Sequence, residues 1–76
     1  MTNQEIAQQI DELGEMLEIT GGNSFKILAY EKGARMIEIS SESLEDIYKK
    51  HGIKGLEEIQ GVGESIAEKI EELINC

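Results

Sequence analysis

The residue best suited to covalent chemistry in this sequence is Lys69. A lysine that is partly removed from water can act as a neutral amine and form a Schiff base with a carbonyl carbon. The spacing from Ile66 to Leu73 puts Lys69 beside the apolar stripe of a helix, not opposite it. The more ordinary interpretation is a surface lysine whose methylene groups cover the core and whose ammonium pairs with Glu68 or Glu72. Position alone favours the ordinary interpretation.

A glycine-rich turn, Gly61-Val62-Gly63, lies just upstream and could hold an anion. Two glycines around one apolar residue allow a tight turn with positive φ. We predict that a helix begins at about Glu64, where unpaired N–H groups and the positive end of the dipole favour a phosphate. The hydroxyl of Ser65 could join these amides, although an ordinary helix-start residue is the simpler interpretation. Gly61, Val62, Gly63 and Ser65 are therefore the predicted phosphate-binding residues.

Two further side chains could contribute to chemistry, but each has a simpler explanation. Tyr30 is best explained as a core residue with its hydroxyl at the rim. His51 has no His, Cys or acid at metal-ligand spacing, so we expect it to cap the C-terminus of a helix.

The charge of the chain argues against binding to a polyanion. The 76 residues carry a formal net charge of −9, whereas DNA-binding domains usually present a basic patch. Six of the seven bases fall within residues 26–54, so a positive face is possible only there: Lys26, Lys32, Arg35, Lys49, Lys50 and Lys54. The simplest explanation of the acidic surface is solubility.

Length and cysteine content restrict the class of protein. A chain of 76 residues predicts a single domain, 1–76, with a small core. No stretch is apolar enough for a membrane span or a signal peptide. The one cysteine, Cys76, cannot form an intramolecular disulfide, which fits a reducing, cytoplasmic setting. We expect a cytoplasmic monomer.

Apolar periodicity predicts helices throughout the chain and no strands. A capping box formed by Thr2 and Glu5 starts the first helix, which ends before Thr20. A second helix over about 24–38 has Lys32 and Arg35 away from its apolar stripe. The stripes are Ile6, Ile10, Leu13 and Leu17 in the first helix, and Ile27, Tyr30, Ala34 and Ile37, with Phe25 and Leu28 nearby, in the second.

The C-terminal half continues as short helices. A weaker capping box at Ser43 starts a helix of about two turns that ends at Gly52. A short helical turn then leads into the glycine turn and the final helix. The predicted fold class is all-α, a small bundle of four main helices with a helix-hairpin-helix at 54–75.

Two segments carry a resemblance to a known family. They are GGNSFKILAYEKGAR (residues 21–35) and LEEIQGVGESIAEKIEELI (residues 56–74). The second resembles a helix-hairpin-helix motif, which grips a nucleic-acid backbone without reading bases. Together they resemble the N-terminal lyase domain of family X DNA polymerases, of the bacterial and archaeal type, along nearly the whole chain.

The resemblance implies a DNA-repair domain that binds gapped or nicked DNA with a 5′-phosphate and removes 5′-deoxyribose phosphate. By position, Lys69 matches the Schiff-base lysine, Glu68 matches the acid next to that lysine, and Tyr30 matches a tyrosine near the lyase pocket. Lys26 matches a phosphate-contacting lysine. No cofactor is required, although a Na⁺ or K⁺ ion could bind the hairpin carbonyls of Glu57, Ile59 and Val62.

The sequence also departs from the family pattern. Ser65 stands where animal members have a second phosphate-binding lysine, and Gln60 replaces the usual hairpin proline. Gly33 occupies a position that is often alanine. No polymerase activity is expected from this chain alone, so its partner would be the rest of a polymerase if it is an excised domain. The alternative is a non-enzymatic protein-interaction or spacer module with weak or no DNA binding.

Overall fold

The structure is a computed structural model that describes residues 1–75, so the terminal thiol of Cys76 lies outside the described residues. The described chain forms five helices and no strand, which confirms the predicted all-α class. No helix within it is long and apolar enough to cross a membrane. In chain order the helices are α1 (Asn3–Ile19), α2 (Ser24–Ile39), α3 (Leu44–His51), α4 (Ile53–Glu57) and α5 (Glu64–Asn75).

The starts of α1 and α2 are capped by their own local sequence. The Glu5 N–H donates to the Thr2 hydroxyl at 3.2 Å, and the Thr2 N–H donates to the Glu5 carboxylate at 2.9 Å, which confirms the capping box. The backbone N–H of Thr2, and then its hydroxyl, lower the pKa of Glu5. At α2 the Phe25 N–H donates to the Asn23 side chain at 2.8 Å.

The start of α3 differs from the prediction. Ser43 makes no side-chain capping bond, so the weaker capping box predicted there is wrong. Instead the Leu44 N–H donates to the side-chain oxygen of Asn3 at 2.9 Å, and the Asn3 amide donates to the Glu42 carbonyl at 2.8 Å. The N-terminal ammonium of Met1 also pairs with Glu45. A residue 41 positions away thus caps α3 and ties it to α1.

The core lies where α1, α2 and α5 meet, with α3 and α4 closing one side. Its fully buried large side chains come from every helix: Ile6, Ile10, Ile37, Leu44, Leu56 and Ile70. Gly14 brings α1 and α2 close together, because a Cβ there would lie 3.2 Å from the Tyr30 Cβ. The Tyr48 hydroxyl donates to Glu71 at 2.8 Å and so joins α3 to α5. These contacts fix the position of α5 and of the turn before it.

Candidate nucleic-acid interface

The turn between α4 and α5, residues 58–63, is closed by its own backbone. The Val62 N–H donates to the Ile59 carbonyl at 3.0 Å, and the Val62 side chain is buried. Gly61 has φ +87°, a left-handed conformation that favours glycine. Gly63 is not among the positive-φ residues, so the expectation of positive φ holds at only one of the two glycines. The Val62 amide, predicted as a phosphate donor, is engaged within the turn.

The start of α5 leaves its donors open. The Gly63 carbonyl accepts the Ala67 N–H at 2.9 Å, so Gly63 lies at the N-cap position, where it has no side chain to cap the helix. Among residues 1–75, the N–H groups of Glu64, Ser65 and Ile66 have no hydrogen-bond partner. A Cβ on Gly63 would meet nothing within 4 Å, so the approach is open. The arrangement has the donors and the access that a phosphate needs.

The middle of α2 packs directly against this turn. A Cβ on Gly61 would lie 3.1 Å from the Met36 Cγ and 3.5 Å from the Lys32 Cγ. A Cβ on Gly33 would lie 3.2 Å from the Gly61 carbonyl oxygen and 3.0 Å from the Ile66 Cδ1. Gly33, which departs from the family pattern, therefore lets α2 and the turn approach closely.

Lys32 is the basic residue that the sequence analysis missed at this turn. Its stem lies beside Gly61, and its side chain is exposed. The apolar stripe of α2 predicted that Lys32 lies away from the core, but it did not predict that the hairpin packs beside it. A signal was present in the neighbouring Gly33, because a glycine inside a helix often marks a close approach of another backbone.

Lys26, predicted to bind phosphate, lies away from the hairpin. It is exposed in the first turn of α2, and six residues of helix separate it from Lys32, or roughly 9 Å along the axis. It shares a face with Tyr30, one turn further on. The structure thus places Lys32 at the hairpin and the predicted Lys26 near the start of α2.

Tyr30 and Lys69 both line a small cavity. The cavity has a volume of about 290 Å³ and is mainly apolar. Its lining residues come from α1, the following turn, α2 and α5: Leu13, Met16, Leu17, Thr20, Tyr30 and Lys69. Tyr30 is only 7% exposed.

Lys69 also has the ion pair expected of a surface lysine. Its ammonium lies 3.5 Å from the Glu72 carboxylate, and its side chain is 46% exposed. Of the two carboxylates considered beforehand, Glu72 is the partner. Glu68 is exposed on the same helix and makes no ion pair with Lys69. An exposed pair of this kind contributes little to stability.

Phe25 and Leu28 are more exposed than predicted. Both were expected near the apolar stripe of α2, but Leu28 is 61% exposed and Phe25 is 82% exposed. The Asn23 cap fixes Phe25 in the first turn, where the next residue is Lys26. An exposed aromatic ring beside a cation can stack on a nucleic-acid base. The missed signal is the position of Phe25 next to the N-cap, because the first turn of a helix often extends beyond the neighbouring helices.

The carbonyls of Glu57, Ile59 and Val62 lie at and just before the turn. The Ile59 carbonyl already accepts the Val62 N–H, which leaves it one lone pair for another contact. Within residues 1–75 there is no cluster of three His, Cys, Asp or Glu side chains that could hold a metal ion. The available ligand chemistry is that of neutral carbonyl oxygens, which suits a monovalent cation.

Comparison with known proteins gives one result along the whole chain. A family model described as a helix-hairpin-helix domain matches residues 1–76. Helix-hairpin-helix domains commonly bind DNA. No curated protein matches significantly. No solved structure does so either.

Proposed function

Because the chain belongs to the helix-hairpin-helix domain family over residues 1–76, we propose that it binds the backbone of gapped or nicked DNA through its hairpin. The contact is to phosphate and is independent of base sequence. The donors are the first-turn amides of α5, joined by the Ser65 hydroxyl, and Lys32, whose stem lies beside Gly61, supplies a cation.

One observation carries the proposal. α1, α2 and α3 each have a side-chain oxygen that accepts a first-turn N–H, supplied by Thr2, Asn23 and Asn3 respectively. Among the described helices of eight or more residues, α5 alone begins without such a cap. Its amides are left for an external anion, in a turn whose family commonly binds DNA.

Charge limits the affinity that we expect. Glu57, Glu58 and Glu64 are exposed around the turn and oppose a second strand of phosphates. The basic side chains on this part of the molecule are few, so few counterions are released on binding. We therefore expect weak binding with a shallow dependence on salt, about one unit of log affinity per log salt for each neutralised phosphate.

The test measures fluorescence anisotropy of a gapped duplex at several salt concentrations. Lys32→Ala should weaken binding and lower the salt slope by about one, because one phosphate contact is lost. Lys50→Ala is the matched control, since it removes the same charge from α3, where Lys50 lies 3.8 Å from Glu42. Equal losses in both variants, or no binding at low salt, would contradict the proposal.

The 5′-phosphate is the finer part of the proposal. Two gapped duplexes that differ only in a 5′-phosphate or a 5′-hydroxyl should differ in affinity for the wild-type chain. We expect this difference to shrink in Lys26→Ala more than in Lys32→Ala, because Lys26 is on the half of α2 that includes Tyr30. Equal affinity for the two duplexes would leave only general backbone binding.

We propose 5′-deoxyribose phosphate lyase activity as a second function, supported by the cavity that Tyr30 and Lys69 share. Lys69 lies six residues after Gly63 on α5, roughly 9 Å along the axis, so a sugar next to a bound phosphate could reach it. The neutral amine would add to the C1′ aldehyde and lose water, which forms an imine. Loss of a C2′ proton would then break the C3′–O bond, and hydrolysis of the imine would restore Lys69.

Borohydride reduction tests the imine directly, because it traps the chain on DNA that carries a 5′ abasic sugar. Lys69→Ala should abolish the trapped product. Tyr30→Phe and Glu68→Gln should retain it at a reduced rate if their roles are to position the sugar or move the proton. Equal trapping by wild type and Lys69→Ala would remove the assigned role, while the backbone-binding proposal would stand on the anisotropy data.

The hairpin carbonyls of Glu57, Ile59 and Val62 would hold a Na⁺ or K⁺ ion that bridges to a phosphate. DNA affinity should then be higher in KCl or NaCl than in tetramethylammonium chloride at equal ionic strength. Equal affinities would remove the ion from the proposal. The wider context that we propose is a DNA-repair polymerase of family X, in which this domain holds the gap for the polymerase domains.

A further inference from the structure

The solvent-facing side of α1 has apolar side chains with no partner. Met16 is 61% exposed and Ile19 is 84% exposed. Ile19 lies on the side of α1 opposite the buried Ile6 and Ile10, and Met16 lies one turn before it, at the edge that borders the cavity of Tyr30 and Lys69. We call this surface, formed by Glu12, Glu15, Met16 and Ile19, the outer face of α1.

The outer face belongs to a helix of one charge sign. From Asn3 to Ile19, α1 has five acids and no base. Glu12 precedes Met16 by one turn, and Glu15 precedes Ile19 by one turn, so carboxylates lie next to both apolar side chains. Exposed apolar side chains scattered singly are ordinary, but this pair is adjacent and rimmed by polar residues.

The charge decides which occupant fits. A DNA backbone laid along Glu12 and Glu15 is disfavoured, because its phosphates would meet their carboxylates. A second copy of the chain is disfavoured for the same reason, since two copies would bring identical acidic helices together. An uncharged apolar segment would leave Glu12 and Glu15 without partners. A segment with both bases and apolar side chains satisfies every group.

We propose that the outer face of α1 binds a cationic amphipathic helix of a partner protein. Leucine-like side chains of that helix would cover Met16 and Ile19, and flanking Lys or Arg side chains would meet Glu12 and Glu15. The rigid scaffold is already present, because α1 is a 17-residue helix packed along α2. Met16 also borders the cavity of Tyr30 and Lys69, but the inference does not rest on the proposed DNA binding.

The experiment is an NMR titration of the ¹⁵N-labelled chain with a synthetic 18-residue helix of leucine and lysine, with the leucines on one face. Shift changes should concentrate on α1 and spare the hairpin. A matched peptide with glutamate in place of lysine should not bind, and one with serine in place of leucine should bind about tenfold more weakly. Equal binding of the serine peptide would reduce the contact to charge alone and overturn the proposal.

Two pairs of variants locate the surface. Met16→Ser with Ile19→Ser should weaken peptide binding about tenfold, whereas Leu28→Ser with Ile39→Ser should leave it within about twofold. Leu28 and Ile39 are exposed apolar residues of α2, so both pairs remove similar surface without touching the core. If the two pairs behave alike, the outer face of α1 is not the docking site.

Carboxylates are tested in the same way. Glu12→Gln with Glu15→Gln should weaken peptide binding and reduce its salt dependence, because two ion pairs are lost. Glu57→Gln with Glu58→Gln removes the same charge near the hairpin and should have a smaller effect. Equal effects would show attraction to the overall negative charge and would overturn the specific site.

Discussion

Two glycine turns in this chain lead into helices, and they differ in what they leave exposed. The first, Gly21 and Gly22, joins α1 to α2, and its helix is capped at once by the Asn23 side chain. The second, Gly61 to Gly63, leads into α5, where the N-cap position is a glycine without a side chain. Glycine therefore precedes a capped helix start at α2 and an uncapped one at α5.

Packing around the two turns differs as well. A Cβ on Gly21 would meet nothing within 4 Å, whereas one on Gly61 would lie against Met36 and Lys32 of α2. A Cβ on Gly22, the second residue of the first turn, would lie 2.9 Å from the Leu17 carbonyl oxygen, so this turn packs on the end of its own helix α1. The second turn packs against α2, which supports the open helix start and brings the stem of Lys32 beside Gly61. We infer that binding capacity comes from an uncapped helix start on a rigid support, not from glycine content.

The largest expected effect is a difference in protein stability between alanine substitutions in the two turns. Gly61→Ala should destabilise the chain by about 3 kcal/mol, since left-handed backbone and crowding against Met36 add together. Gly21→Ala has a similar φ, +75°, but open space, so its cost should be only about 1 kcal/mol. Urea unfolding measures both. Equal losses would mean that the support by α2 is unimportant.

The next variant adds a cap to the open start of α5. Gly63→Asn adds an N-cap acceptor that takes the first-turn amides of α5, so it should stabilise the chain by a few tenths of a kcal/mol. The same change should weaken DNA binding about tenfold, because the amides lose their external anion. Gly63→Ala is the matched control, since a Cβ fits there and cannot cap. If Asn and Ala weaken binding equally, the amides are not the donors.

The converse variant removes the side-chain cap of α2. Asn23→Ala should destabilise the chain by about 1 kcal/mol, because the Phe25 N–H loses its acceptor. DNA affinity should stay within about twofold at temperatures where the variant is folded, since the freed amides lie away from the hairpin and Lys32. Urea unfolding and anisotropy on the same sample check both statements. A gain in affinity would show that any uncapped helix start binds DNA here.

Features that depend on neighbouring residues were predictable from the sequence. The capping box of Thr2 and Glu5, the stop before Thr20 and the C-terminal Gly52 all follow from contacts within one turn. The all-α class followed from apolar spacing. The hairpin was found for the same reason, since its two glycines and the next helix are contiguous.

Features formed between elements were not predictable in this way. The cap of α3 comes from Asn3, 41 residues distant, so local reasoning chose Ser43. Lys32 reaches the hairpin only because Gly33 lets α2 approach it. Phe25 was misjudged because helical spacing gives a direction but not the presence of a neighbour. Packing between distant segments determines these contacts, and the spacing of residues along one helix carries no information about that packing.

The smallest expected effect is the pH dependence of the stability that the capping box of α1 provides. Hydrogen bonds from the backbone N–H and then the hydroxyl of Thr2 lower the pKa of Glu5 from its ordinary 4.5. A carboxyl with a lowered pKa stabilises the folded state above its ordinary pKa, and this stabilisation is lost as the pH falls through the folded-state pKa. Wild type should therefore lose more stability than Glu5→Gln between pH 5 and pH 3, in the range set by the ordinary 4.5 and the lowered folded pKa.

Unfolding curves of the two proteins provide their own control. Above pH 6 the carboxyl is ionised in both folded and unfolded chains, so the free energies should run parallel there. Only below about pH 5 should they converge. Parallel curves down to pH 3 would mean that the Thr2 bonds do not distinguish the ionised carboxylate. Because α5 has no such cap, a charged acceptor supplied from outside should act there as Glu5 and Thr2 act on α1, and phosphate is an acceptor of that kind.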